Sequence, residues 1–231
     1  EIRLVRRNQA IPSQSPLVPH TTGYDPKFKS EMGEFNPAKA RALLDLYGYV
    51  DKDGDGWRDL PDGSPLILVR GTQPEQIYRQ FNEQYTKDMN RIGVRVRYET
   101  AQWAEHLKQA RAGKLQLWML GSSAASPDGQ TAFQRVHGPQ SAGQNLSRFK
   151  LPAFDAIYDK MSQLPDGPER DDLFLQAKLL IVAYAPYKYH THRIRTDMWH
   201  PWVLGYRRPL FWLDWWHMVD VDTDLRDKVI R

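Results

Sequence analysis

Hydrophobic positions along this chain repeat with two periods, and the switches between them mark out a mixed α/β architecture. After Asn36-Pro37, Ala40, Leu43, Leu44 and Tyr47 recur at helical spacing. Asn caps such a helix and Pro suits its first position, while Gly48 stops it. Residues 65–70 form a short apolar run that reads as a buried strand. Over 74–92, the residues Ile77, Phe81, Tyr85, Met89 and Ile92 fall along one helical face, and Gly93 ends it. Residues 94–99 alternate Val, Arg, Val, Arg, Tyr, as a half-buried strand does. A helix over 103–112, with Leu107 and Ala110 or Arg111 one turn apart, and a strand over 115–120 complete the series. Strand–helix–strand–helix–strand with short links closes through right-handed crossovers into a parallel sheet.

Two further helices follow. Phe154, Ile157, Tyr158, Met161 and Leu164 share a side over 152–164, and Pro165-Asp166-Gly167-Pro168 breaks and restarts the pattern. Leu173, Phe174, Ala177, Leu180, Ile181 and Tyr184 then lead to a stop at Ala185-Pro186. A strand is expected over 187–195. Residues 1–30 carry Pro12, Pro16, Pro19 and Pro26, each removing a donor and fixing φ, so an extended connector is expected there. Residues 129–150, rich in Gly, Gln and Ser, read as a long loop over the pocket. Five of the eight tryptophans lie between Trp199 and Trp216, in a stretch that reads as irregular. This cluster either stacks a ligand or fills a core or an interface.

In an open parallel sheet, ligands bind beyond the carboxyl ends of the strands. Those ends are Gly71-Thr72-Gln73, Thr100-Ala101-Gln102 and Gly121-Ser122-Ser123-Ala124, the last running into Ser126-Pro127-Asp128-Gly129. The third end is small and polar, leaving space and exposed backbone N–H groups. The candidate ligand-binding set is Gln102, Trp103, Gly121, Ser122, Ser123, Ser126, Asp128 and Asn145.

Asp51-Lys52-Asp53-Gly54-Asp55-Gly56-Trp57-Arg58-Asp59 offers a second kind of chemistry. Asp51, Asp53 and Asp55 match positions one, three and five of an EF-hand calcium loop, with Gly56 at six, the Trp57 carbonyl at seven and Asp59 at nine. The twelfth position, normally a bidentate Glu, is Asp62, and a strand follows where an EF-hand has its second helix. The loop is thus either a calcium site or a tight turn whose carboxylates bond their own backbone. His190 and His192 share one face of the expected strand and form a possible metal pair, for which the sequence positions no third ligand.

Composition narrows the function classes. A length of 231 residues, 41% hydrophobic and 26% charged, suits one large or two small globular domains. The net charge of +4 is spread out, so no nucleic-acid partner is called for. No apolar run is long enough to span a membrane, and no secretion leader is visible. The start at Glu1-Ile-Arg-Leu-Val, without Met, suggests a processed chain or an excised fragment. Zero cysteines exclude disulfides and thiol catalysis. No nucleophile elbow, phosphate-binding glycine loop or His-Glu-x-x-His is present, so a hydrolase reading rests on scattered Asp and His alone.

The order of signals resembles a known family. Phe35-Asn36-Pro37-Ala38-Lys39-Ala40-Arg41-Ala42-Leu43-Leu44, Gly48-Tyr49, the Asp-Gly loop and Pro61-Asp62-Gly63-Ser64-Pro65-Leu66 are similar to the family 5 extracellular solute-binding proteins, the dipeptide and oligopeptide receptors of ABC importers. Ile92-Gly93-Val94, Gly113-Lys114-Leu115-Gln116-Leu117, the 145–149 segment, Pro152-Ala153-Phe154-Asp155, Glu169-Arg170 and Ala185-Pro186-Tyr187 continue the match in order. The resemblance covers about residues 8–222.

It implies a periplasmic binding protein type II-like lobe built on a β-α-β-α-β parallel unit with flanking helices. The family's members are longer, with two lobes closing on a ligand, so this chain would be mostly the second lobe. Residues 1–35 would be a connector, 36–198 the lobe, and 199–231 an aromatic segment returning toward the first lobe. The implied role is non-catalytic capture of a peptide or related small solute. The implied partner is an ABC permease in the membrane, and no cofactor or nucleic acid is called for. A monomer is expected, periplasmic or extracellular, with an anchor through a missing amino-terminal part. One departure stands out. Family peptide binders commonly carry an acidic residue after the third strand that pairs with the ligand's amino terminus, and the matching position here is Ala125, with Ser122 in place of a Trp. The competing function class is a calcium-dependent interaction module built on the loop from Asp51 to Asp62.

Overall fold

The computed structural model describes residues 1–211 and 215–230. Its centre is a three-stranded parallel sheet of β2 (Ile67–Thr72), β3 (Arg95–Thr100) and β4 (Leu117–Trp118), in the order β3-β2-β4. Ile67 aligns with Arg95 and Thr72 with Thr100, while Arg70 and Gly71 face Leu117 and Trp118. The apolar run takes the middle position and the alternating Val/Arg run takes an edge, as their patterns demand. Two crossover helices join the strands: α2 (Gln76–Asn90), which buries Phe81, and α3 (Trp103–Arg111), which buries His106 and Ala110. Gly71 lets the α3 side close down on the sheet, since a Cβ there would meet the His106 ring at 3.1 Å.

Helix α1 (Pro37–Leu46) begins as its sequence directs, with the Lys39 N–H donating to Asn36 Oδ1 at 2.9 Å and Gly48 at φ +81° after its end. It buries none of its residues in this chain.

A second, mainly helical layer holds the apolar core. α5 (Pro152–Gln163) packs on α6 (Pro168–Tyr184), and Phe154, Met161, Leu173, Phe174, Ala177 and Ile181 are all buried there. Phe133 at the end of α4 (Gln130–Phe133) sits against Phe154 and Phe174, with ring centroids 6.0 and 5.7 Å apart. Two expectations change here. Residues 129–150 do not form a loose cover: Phe133 and Val136 are fully buried and pin the segment into the core. Nor is the proline-rich start a plain extended connector. β1 (Ala10–Pro12) pairs antiparallel with β5 (Thr191–Arg193), and Leu17 is fully buried among the α4–α6 side chains. Proline spacing excluded a helix but carried no information about which apolar residue would anchor the segment.

Beyond residue 199, β6 (Val203–Leu204) and β7 (Asp220–Val221) form a short antiparallel pair, and α7 (Thr223–Ile230) follows, a helix the sequence pattern did not suggest. Trp199, Tyr206, Trp215 and Trp216 make successive ring contacts of 4.2–5.3 Å, and Trp212 lies outside the described residues.

Candidate functional site

The three strand ends meet at one edge of the sheet, and the β2 end is rigidly held. The Thr72 carbonyl accepts from Ala101 N–H at 3.0 Å and from His106 Nε2 at 2.7 Å. A carbonyl only accepts, so His106 carries its proton on Nε2 and turns an unpartnered Nδ1 into the interior. Thr72 Oγ1 accepts from Asn82 Nδ2 at 2.8 Å, and the Tyr98 hydroxyl donates to the Asn82 carbonyl at 2.8 Å. From this edge an open groove of about 970 Å³ runs between α2 and the free side of β3. It shares Thr72, Gln73 and Thr100 with the strand ends, and polar and charged α2 side chains such as Arg79, Glu83 and Lys87 line one wall. At the ends themselves backbone is exposed and small residues leave room.

Five of the eight expected residues stand open there. Gln102 and Trp103 occupy the start of α3, with Trp103 half exposed and its ring 6.3 Å from that of Trp118 on β4. Gly121, Ser122 and Ser123 are exposed after β4, and Ser126 is partly so.

The other two behave differently. Asp128 is committed to the fold. Its carboxylate accepts from Gln130 N–H at 2.9 Å, starting α4, and from Arg170 Nη2 at 2.8 and 3.0 Å. Burial alone would lower the Arg170 guanidinium, but Asp128 and Asp166 outweigh it and hold its pKa above the ordinary value. Asn145 is fully buried and donates to the carbonyls of His137 and Phe149 at 3.0 and 2.8 Å, so it holds its loop and offers no atom to a ligand.

One residue at this edge escaped the sequence reading. Arg193 on β5 reaches the β4 end: a methyl group at position 121 would lie 3.2 Å from its Nη2. Burial, then the nearby charges of Arg6 and Arg195, push the Arg193 pKa below its ordinary value. No local signal marks this arginine, because β5 is held by β1, some 180 residues away in sequence.

The Asp-Gly loop lies at the opposite, amino end of β2. Carboxylate oxygens of Asp51, Asp53 and Asp59 come within 4.8 Å of one another, while Asp55 and Asp62 stand outside this group. Asp51 accepts from the N–H groups of Gly54 and Gly56 at 2.7 and 2.8 Å, and Asp53 from that of Asp55 at 3.1 Å. Asp55 accepts from Trp57 N–H at 2.9 Å and is paired with Arg95, whose guanidinium lies over the Trp57 ring. Asp62 accepts from Ser64 N–H and Oγ at 2.9 and 2.6 Å, and Asp59 from Lys52 N–H at 2.9 Å. These are the self-bonding turns open to Asp-rich loops. The histidines part company: His190 Nδ1 lies 3.2 Å from Glu1 Oε2, while His192 meets the Tyr24 ring edge-on. Among the described residues no third ligand joins them.

Residues 2–144 match the family model described as bacterial extracellular solute-binding proteins, family 5 middle. The chain belongs to this family. Among curated relatives, this family 5 chain is 26% identical over 223 residues to heme-binding protein A of Haemophilus influenzae, a match covering 96% of the chain and 39% of that protein. Among solved structures, it superposes with TM-score 0.79 on a mannohexaose-bound periplasmic oligopeptide-binding protein of Thermotoga maritima, at 16% identity, over 96% of this chain and 47% of that one. With TM-score 0.76 and 22% identity it matches the periplasmic binding protein DppA of Helicobacter pylori in complex with the peptide STSA, over 96% of this chain and 41% of the other. The type II periplasmic binding protein lobe that the resemblance implied is thus the fold observed. This chain spans about two fifths of the length of the curated relative it matches.

Proposed function

We propose that this family 5 chain is the ligand-facing lobe of a solute receptor serving an ABC importer, and that it takes a peptide or related small solute between itself and the rest of a longer protein. The open edge beyond β2, β3 and β4 supports the reading: Gln102, Trp103 and Gly121–Ser123 lie there exposed, with the β2 end fixed beneath them. A half-exposed indole supplies apolar area, and the small residues after β4 leave room for a backbone to approach. The role is capture and not turnover, with closure of two lobes completing the site. Delivery to a membrane permease follows, from a periplasmic or extracellular position, by a monomer.

The test is calorimetry on the full-length protein and on this lobe alone, after ligands that co-purify with the full-length protein have been identified by mass spectrometry. Full-length protein should bind a small solute tightly and the lobe should bind it weakly, because half of the contacts and all of the enclosure are missing. Tight binding by the lobe alone, or a full-length protein that holds no small solute, would refute the proposal.

A further inference from the structure

The charge at the β4 end is one-sided. From Met119 to Pro127 the chain carries no acidic residue, and Asp128 is spent on Arg170. Into this neutral segment Arg193 projects, its Nη2 in contact range of Gly121. The side chain is exposed, and among the described residues it forms no ion pair. The charges that lower its pKa are cations, Arg6 and Arg195. Glu1, which reaches β5 at Thr191, is already engaged: it accepts from Arg6 Nε at 2.9 Å and faces His190 and Thr191. Beside the guanidinium, the backbone N–H groups of residues 121–125 and the hydroxyls of Ser122 and Ser123 donate to no group among the described residues.

An exposed guanidinium and free N–H groups only donate, and the hydroxyls beside them can donate as well. Such a set matches the lone pairs of a carboxylate, and it offers an ammonium group no anionic partner. We propose that Arg193, beside Gly121, receives a carboxylate of the bound solute, so that this receptor selects for an anionic group at the β4 end. This rests on the reading of the edge as a ligand site and adds its polarity. Arg193 is the specificity-determining residue, because its planar fork makes two parallel hydrogen bonds where a lysine makes point contact.

The experiment uses the full-length protein, as wild type and as Arg193→Gln and Arg193→Lys, in calorimetry against three probe sets: free di- and tripeptides, their N-acetylated forms, and their C-amidated forms. Wild type should bind the free and N-acetylated members alike and lose roughly tenfold to a hundredfold on amidation, the range for a charge-assisted hydrogen bond. Arg193→Gln should bind free and amidated members equally, and Arg193→Lys should fall between, with melting temperatures of all three proteins alike. Equal binding of free and amidated members by wild type would overturn the carboxylate assignment while leaving the receptor reading intact. So would Arg193→Gln that still discriminates. Binding of no member by wild type would overturn the carboxylate assignment, and the receptor reading would fall with it only if the full-length protein also holds no small solute.

Discussion

Arg170 of α6 reaches across to Asp128 at the entrance of α4 and donates to both oxygens of its carboxylate, at 3.0 and 2.8 Å. The same guanidinium donates to Asp166, to the Gln130 side chain and to the Met161 carbonyl. One buried cation thereby ties the segment after the sheet to the α5–α6 layer. Asp128→Ala should cost about 1–3 kcal/mol of stability, the penalty for removing one partner of a buried charge that keeps others. It should leave solute affinity within a factor of about two, since the variant changes the fold's latch and not the exposed edge. Chemical denaturation and calorimetry on the same protein check both halves.

Leu17 gives a second outcome. As part of a free connector, its truncation would change stability by less than about 0.5 kcal/mol. Fully buried among Phe133, Phe174 and their neighbours, Leu17→Ala should cost about 2–5 kcal/mol. A urea titration separates the two values easily.

A pH dependence follows from His192. Burial pushes its pKa below the ordinary 6.5. The folded state therefore binds this proton less tightly than the unfolded state does. The stability associated with neutral His192 is fully present above pH 6.5 and is lost as the pH falls from 6.5 toward the lower folded value. Thermal melts between pH 5 and 8 should show this loss, and His192→Gln should flatten that part of the curve. An unchanged profile in the variant would assign the dependence elsewhere.

The Asp-Gly loop satisfies its carboxylates from its own backbone, so removal of divalent cations by a chelator should leave the melting temperature unchanged. Asp51→Ala removes the acceptor of two N–H groups and should cost about 1 kcal/mol, or roughly 2–4 °C for a protein of this size. A large rise in melting temperature on adding calcium, abolished by Asp53→Ala, would instead establish an ion at this loop.

The parallel unit was legible because its signals are local. Ile67-Leu68-Val69 is a short apolar run of strand length, Ile77 to Ile92 repeats at one helical period, and glycines 48 and 93 mark the ends. What stayed hidden depends on partners distant in sequence. No pattern near Leu17 says that it enters a core made by residues 133–181, and nothing near Arg193 says that β5 will pair with β1 or lie beside Gly121. Strand-end reasoning found the edge and the exposed Gln102, Trp103 and Gly121–Ser123. It also swept in Asp128 and Asn145, because a polar residue in a loop looks the same in sequence whether it faces a ligand or a buried carbonyl.

The free side of β3 has a consequence of its own. An unpaired strand edge is a template on which another chain can continue the sheet. Along β3 the odd positions are Arg95, Arg97 and Glu99, and Arg97 and Glu99 pair at 3.1 Å. A second molecule extending the sheet here would have to bring its own strand against that charged row and strip its water. Among the described residues no strand pairs with the outer edge of β3, and the charged row there guards it against strand addition by another chain.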